Sequence, residues 1–291
     1  MKLIILIRIE SEGKAVTVRS SEEQWKQKIT DWEHTLYSHE PSNFSTTVDY
    51  WLDLAFEYLP AETKDMFFSQ IDTWLFHLHG FIRQSSFQQQ AEERILKMAQ
   101  SYKEDVETIE DIQKLTLSQK AFIAEQQIAK QKLYSVIQGG MTGTGKLSTL
   151  AVDIPAFAAL NIRTTQLIAL SYGYRASTPH EMVKALQLFY CATIPKKYQF
   201  DRWQSLTKDL GEDEDLYFDT LSEKDHPTIW LQQPLFHLVK LLFVIVLGRR
   251  KVNGIPIVGM VTAAGTNYYW TKEVSRFAHH YYVMRHLSAK K

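Results

Sequence analysis

Four groups of side chains in this sequence are of the types that do chemistry. The first is the run Gly139-Gly140-Met141-Thr142-Gly143-Thr144-Gly145-Lys146, whose last seven residues fit G-x-x-x-x-G-K. In that pattern backbone N–H groups cradle phosphate and the lysine neutralises it. The next residue must carry a hydroxyl to hold Mg²⁺. Here it is Leu147, and Ser148 and Thr149 come one and two positions late. A phosphate cradle also lies between a buried strand and a helix, whereas an amphipathic helical pattern precedes this run. It reads as a junction between helices, and no cofactor is expected.

The second is Asp153, in Asp153-Ile154-Pro155. An Asp ahead of an apolar helix, with Pro in the first turn, reads first as an N-cap. The alternative is a carboxylate set beside the glycine turn as a ligand. The third is two histidine pairs, His77 with His79 and His279 with His280. Metal ligands on a helix want i, i+3 or i, i+4 spacing, which puts both rings on one face. Neither pair has it, so both read as incidental surface or helix-end residues and no metal is expected. The fourth is Cys191, the only cysteine, in Leu188-Phe189-Tyr190-Cys191-Ala192. It reads as a buried thiol. One cysteine excludes a disulfide within the chain and a zinc site built on thiolates. No G-x-S-x-G elbow is present.

The elements that position these residues are helical. Ser20 and Glu23 have capping-box spacing, and Trp25, Ile29, Trp32 and Leu36 follow on one face. Further helices are expected over 45–59, from Pro60 onward, and over 87–102, with a short exposed one in the acidic stretch 104–111. Ser118 reads as the cap of a long helix to Gln138, with Phe122, Ala129, Leu133 and Val136 as its buried face and Gly139-Gly140 as its end. After Pro155 an apolar helix runs to Tyr172, closed by Gly173. Thr178 and Pro179 open the next, which stops before Pro195. Residues 208–228 read as a loop. Two helices, over 229–247 and 257–287, complete the chain, the last with a stripe of Val274, Phe277, Ala278 and Tyr281. Small residues at Gly259, Ala263, Ala264 and Gly265 suit close helix approach. Residues 3–9 and 14–19 are short and β-branched, and read as an N-terminal hairpin. The expectation is an all-α fold of nine or ten helices: an extension over 1–19 and one compact domain over 20–287.

Composition bounds the function. With 291 residues, 45% apolar and 23% charged, the chain has enough apolar side chain for a full core. Its 33 basic and 33 acidic residues cancel, which argues against a dedicated nucleic-acid binder. Five apolar residues between Lys2 and Arg8 are too few for a signal peptide, so the cytoplasm is the expected compartment. The densest apolar run, 241–247, falls short of the roughly 18 residues of a spanning helix. It reads first as a core helix. The cluster Arg249-Arg250-Lys251 behind it supports membrane contact as the second reading.

In order along the chain, several blocks resemble the EcsC family of bacterial proteins. They are GGMTGTGKLSTLAVDIP at 139–155, IRTTQLIALSYGY at 162–174, HEMVKALQLFYCA at 180–192, IPIVGMVTAAGTNYYW at 255–270 and AHHYYVMRHL at 278–287. The matching positions are Gly139, Gly140, Gly143, Gly145, Asp153, Pro155, Tyr172, Gly173, Gly259 and Asn267. Lys146 departs from the pattern, which has a small residue near there. The resemblance implies a cytoplasmic, membrane-associated helical protein. The family takes its name from an operon that also encodes the ATPase and membrane subunits of an ABC transporter. It brings no assigned catalytic residue. The expected function is a non-enzymatic accessory or binding protein at the cytoplasmic face of the membrane, its partner lipid or a membrane protein and not nucleic acid. The alternative is an enzyme or small-molecule binder whose pocket lies where 139–153 meets 254–267, with Asp153 and Asn267 as its polar groups. An ATP-binding protein ranks third.

Overall fold

The computed structural model describes residues 20–38, 86–142, 147–194, 196–208, 210 and 256–289. They form seven α-helices: α1 (Ser21–Tyr37), α2 (Ser86–Gln100), α3 (Leu117–Thr142), α4 (Leu147–Ser171), α5 (Pro179–Thr193), α6 (Lys196–Thr207) and α7 (Pro256–Ser288). A 3₁₀ turn, Glu110–Lys114, leads into α3. Among the described residues there is no strand. The hairpin expected over 3–19, the helices expected over 45–59, from Pro60 and over 229–247, and His77 and His79 all lie outside the described residues.

The C-terminal half of α7 is the axis of the bundle. Val274, Phe277, Ala278, Tyr281, Tyr282 and Val283 are all buried, on more than one face, as expected of a helix enclosed by others. Helices α1, α3, α4 and α5 pack around it. Trp32 of α1 and Trp203 of α6 meet Phe277 edge-on, with ring centroids 4.8 and 5.7 Å away. Burying one such ring stabilises the fold by roughly 1.5–3 kcal/mol. A second apolar cluster joins Ala91, Ile95 and Ala99 of α2 to Ile109, Ile112, Leu167 and Leu170.

Local signals start and stop several helices as expected. Ser20 and Glu23 form the reciprocal capping box of α1. Thr178 caps α5, with Pro179 in its first turn. Gly173 ends α4 at φ +87°: its N–H donates to the Leu170 carbonyl and the Tyr174 N–H to the Ala169 carbonyl, both at 3.0 Å. That pair of bonds is a Schellman closure, which requires a left-handed residue.

Elsewhere the structure corrects the expectations. The cap of α3 is Thr116, which exchanges hydrogen bonds with Gln119, while the Ser118 hydroxyl donates to Ser21 Oγ at 2.6 Å. Helix α3 runs through Gly139 and Gly140 to Thr142. Its buried seam is Leu117, Ala121, Ala124, Ile128, Gln131, Ser135 and Gly139, at steps of three and four. Phe122, Ala129, Leu133 and Val136 lie a step around the helix and are exposed. The seam is small and partly polar because α3 lies close along α7, and close approach selects small side chains. Helix α4 begins at Leu147, since no Gly or Pro stands between 147 and 154 to stop it. Asp153 is therefore inside α4 and not its cap. Pro155 is also internal and leaves the Ala151 carbonyl without its usual donor.

The acidic stretch forms a helix only from Glu110 onward, a 3₁₀ turn, with Val106, Ile109 and Ile112 buried at intervals of three. Gly265 is exposed, with open space where a Cβ would stand, so it marks no helix contact. Helix α6 was not expected. Gln199 anchors it by donating to the carbonyls of Ala192 and Ile194, both at 3.1 Å. Trp203 ties it to α1 through a 2.7 Å bond to Glu33 Oε1.

Candidate functional site

Three of the blocks that resemble the family converge at one end of the bundle. Glu181, the third residue of α5, is almost fully buried. Its Oε2 accepts from the Tyr282 hydroxyl at 2.6 Å, and its Oε1 pairs with the buried guanidinium of Arg285. That guanidinium lies 3.7 Å from the centre of the Tyr174 ring, a cation–π contact. Burial, followed by the Glu181 charge, pushes the Tyr282 phenol well above its ordinary pKa, so it remains a donor.

Beside this group the Lys120 ammonium donates to the Gln113 carbonyl at 2.7 Å and contacts His286 Nδ1 at 3.1 Å. The Gln113 amide in turn donates to the Gly173 carbonyl at 3.0 Å. A Cβ on Gly173 would stand 2.5 Å from Gln113 Cγ and 2.8 Å from its backbone nitrogen. Both carboxylate oxygens of Glu181 are occupied, and the cluster joins α3, α4, α5 and α7. Its chemistry is that of a lock between helices.

His279 and His280 are buried, contrary to their expected place on the surface. Trp25 meets His279 at 4.9 Å and Trp32 meets His280 at 4.4 Å, both edge-on, and Tyr172 lies 5.9 Å from His279. Desolvation holds both imidazoles down at about 3. Nearby cations add to the effect: Lys28 and Lys132 for His279, Lys28 and Arg276 for His280. Both rings are neutral at pH 7. Cys191 is buried as expected, and desolvation raises its thiol far above the usual range. Among the described residues no three His, Cys, Asp or Glu side chains converge as metal ligands.

The opposite end differs. Helices α3 and α7 are antiparallel: Lys120 meets His286 at one end, and the charge of Lys272 helps burial to lower the Lys132 pKa twelve residues further along α3. Beyond Lys132 the outward face of α3 presents Leu133 (60% exposed), Tyr134, Val136, Ile137 and Met141 (73% exposed). Tyr268 of α7 is also exposed, one turn before Lys272. On the flank toward α4, Arg163 lies near Arg94 of α2 and Tyr134. None of the described helices is long and apolar enough to cross a membrane.

The residues expected to form a pocket lie toward this end. Gly139 is buried and Gly140 half-buried in the last turns of α3, and Asn267 is half-buried on α7. From Lys272 back to Asn267 is about 8 Å of helix, and from Lys132 on to Gly139 about 10 Å, so Asn267 comes level with the end of α3. Asp153 and Pro155 belong to the first half of α4, which packs on both helices. Gly259 lies in the first turn of α7. Gly143, Gly145 and Lys146 lie outside the described residues. The element before them is the helix α3, not a strand, so the setting of a phosphate cradle is not met there. The same three helices bury Gln131 Oε1, Asn161 Oδ1 and Thr271 Oγ1 without a hydrogen-bond partner among the described residues.

Sequence reasoning missed the Glu181–Tyr282–Arg285 lock and the Lys120–His286 contact. Their partners lie about 100 and 166 residues apart in the chain. The signal that pointed to them was the blocks at 162–174, 180–192 and 278–287, taken together.

Residues 23–287 match the model of the EcsC protein family. Over 149 residues the chain is 32% identical to the uncharacterized protein YdbA of Bacillus subtilis (strain 168), a match covering 50% of this chain and 55% of that protein. The chain thus spans about half the length of this relative. No solved structure matches.

Proposed function

The chain belongs to the EcsC protein family, and we propose that it is a non-enzymatic accessory or binding protein working at the cytoplasmic face of the bacterial membrane, in association with an ABC transporter. The observation that carries this reading is the outward face of α3. Leu133, Tyr134, Val136, Ile137 and Met141 are exposed there while Gln127, Gln131 and Ser135 are buried. A helix that turns large apolar side chains outward and polar ones inward is suited to a second apolar phase. The apolar helix α4 offers no such face: from Phe157 to Ser171 it is buried core apart from a few half-buried positions. The saturated hydrogen bonding of Glu181 favours a binding protein over an enzyme at the other end.

Cell fractionation and co-sedimentation with vesicles of the host's own lipids test the reading. The protein is expected in the membrane fraction and in the vesicle pellet. Recovery wholly in the supernatant of both refutes it.

A second reading, a small-molecule site where α3, α4 and α7 meet near Asn267 and Asp153, is favoured by the unpartnered Gln131 Oε1, Asn161 Oδ1 and Thr271 Oγ1. Unmade bonds of this kind cost about 1–3 kcal/mol each, so a polar ligand or water bonded to them stabilises the fold. Asn161→Leu is expected to lower stability if they are so bonded. A more stable variant argues for a dry core and against this site.

A further inference from the structure

Among the described residues, α3 beyond Gln126 and α7 before Glu273 carry lysines and no acid. Residues 126–180 hold five cations (Lys130, Lys132, Lys146, Arg163 and Arg175) and a single acid, Asp153. Residues 226–272 hold five more (Lys240, Arg249, Arg250, Lys251 and Lys272) and no acid. These two stretches thus carry ten of the chain's 33 basic side chains and one of its 33 acidic ones. Arg175, one of the ten, is paired with Glu110 beside the lock. The second half of α3 contributes Lys130 and Lys132 and the part of α7 before Glu273 contributes Lys272, and the antiparallel pairing of these helices brings them side by side.

That surface is also where the apolar side chains face outward. Leu133, Val136, Ile137 and Met141 lie on α3 and Tyr268 on α7, all exposed. Lys132 and Lys272 sit together among them, each raising the electrostatic cost of the other. Among the described residues the acid that acts on Lys132 is Glu125, two turns back on its own helix. Neighbouring like charges repel, and an external anion relieves the repulsion. Apolar and tyrosyl side chains beside lysines match the interface of a bilayer with anionic headgroups.

We propose that the two acid-free helix segments at this end, α3 beyond Gln126 and α7 before Glu273, dock on an anionic lipid surface. Lys132 and Lys272 meet headgroup phosphates, and Leu133, Val136, Ile137, Met141 and Tyr268 enter the interfacial layer. This rests on the membrane reading above and adds the lipid class and the residues. The second half of α3 lies on the membrane with its outward face down, and the Glu181 lock points away from it.

The test uses the full chain and two sets of vesicles, phosphatidylcholine alone and phosphatidylcholine doped with phosphatidylglycerol, in a co-sedimentation series at rising salt. Expected is binding to the anionic vesicles that weakens with salt, and far weaker binding to the neutral ones. Lys132→Gln with Lys272→Gln should lower the partition constant about twenty-five-fold, at about fivefold for each lysine. Lys196→Gln with Lys197→Gln, at the exposed start of α6, should leave it within twofold. Met141→Ser should lower it for both compositions. Melting curves of the variants are expected to overlay that of the parent, since these side chains are not part of the core.

Equal, salt-insensitive binding to both vesicle types overturns the anionic docking while leaving the membrane reading in place. Binding to neither overturns both. An equal loss from the α6 pair shows nonspecific charge attraction and overturns the assignment to this end. A doubled mass in light scattering that Met141→Ser abolishes assigns the surface to a second copy of the chain, and also overturns the proposal.

Discussion

The two ends of α3 are built on opposite principles. At its start, Lys120 is buried and bonded to Gln113 and His286, next to the Glu181–Arg285 pair. Charge there is enclosed and matched. About 24 Å further along the helix, Leu133, Val136, Ile137 and Met141 face outward beside the cations Lys132 and Lys272. Charge there is exposed and of one sign. One helix thus closes the fold at one end and leaves an apolar, basic face at the other. Enclosed polar groups contribute rigidity and are costly to disturb. Exposed ones contribute little to stability and are free to serve a partner. Substitutions at the first end should therefore cost stability, and those at the second should cost binding.

The largest expected effect is at the lock. Glu181→Ala leaves the Arg285 guanidinium buried without its counterion, and breaking a buried pair in this way costs about 3–5 kcal/mol. Replacing both partners, Glu181→Leu with Arg285→Met, should cost much less, because no charge is then stranded. Urea unfolding of the two variants measures the difference. Equal losses would mean that the pair contributes no more than its packing.

Acid should act on the same half of the molecule. His279 and His280 are held at about 3 in the folded chain against roughly 6.5 when unfolded. Lowered pKa values mean that the unfolded chain binds more protons between these limits. Stability is then full above pH 6.5 and falls as the pH drops toward 3, by at most about 1.4 kcal/mol per unit for each ring. From pH 7 to pH 5 the loss is expected on the order of 2–4 kcal/mol. That window lies above the range in which ordinary carboxylates titrate. A free energy of unfolding that stays flat across it would show that the rings are not enclosed by Trp25 and Trp32. Vesicle binding should not follow this curve while the protein remains folded, because no histidine lies on the α3 face.

How far the sequence foretold each end follows from the range of the interactions. Ser20 with Glu23, Thr178 with Pro179, and Gly173 are local devices, and each does in the structure what its spacing implied. The outward face of α3 was not legible. Periodicity assigns the larger apolar residues to the core, and here Phe122, Leu133 and Val136 are outside while Gln131 and Ser135 are inside. Only the close approach of α7, more than a hundred residues away, explains why small side chains hold the seam. The histidine pair shows the same limit. Its adjacency ruled out shared metal ligation on one helix face, but the burial of both rings depends on α1, some 250 residues earlier. Helix α6 escaped notice because only Gln199 and Trp203 in it are buried, and a Gln in the core breaks the apolar pattern. For the candidate site, the family blocks marked the right regions, while the acidic partner Glu181 was passed over because its role depends on Tyr282 and Arg285.

Glycine substitutions sharpen the contrast between the ends at smaller scale. Gly173→Ala must hold a left-handed backbone, at roughly 1–2 kcal/mol, and must also push Gln113 aside, whose backbone nitrogen stands 2.8 Å from the new Cβ. A loss of about 2 kcal/mol or more is expected, along with release of the Gln113 bond to the Gly173 carbonyl. Gly140 belongs to the same family pattern but lies inside α3, with nothing within 4 Å of an added Cβ. Alanine there restricts the unfolded chain and suits the helix, so Gly140→Ala should raise stability by about 0.5–1 kcal/mol. Thermal melts of the two variants should therefore move in opposite directions. If Gly140→Ala instead lowers the melting temperature, the end of α3 is not an open helical terminus, and the surface proposed for lipid contact needs that glycine for a closer neighbour.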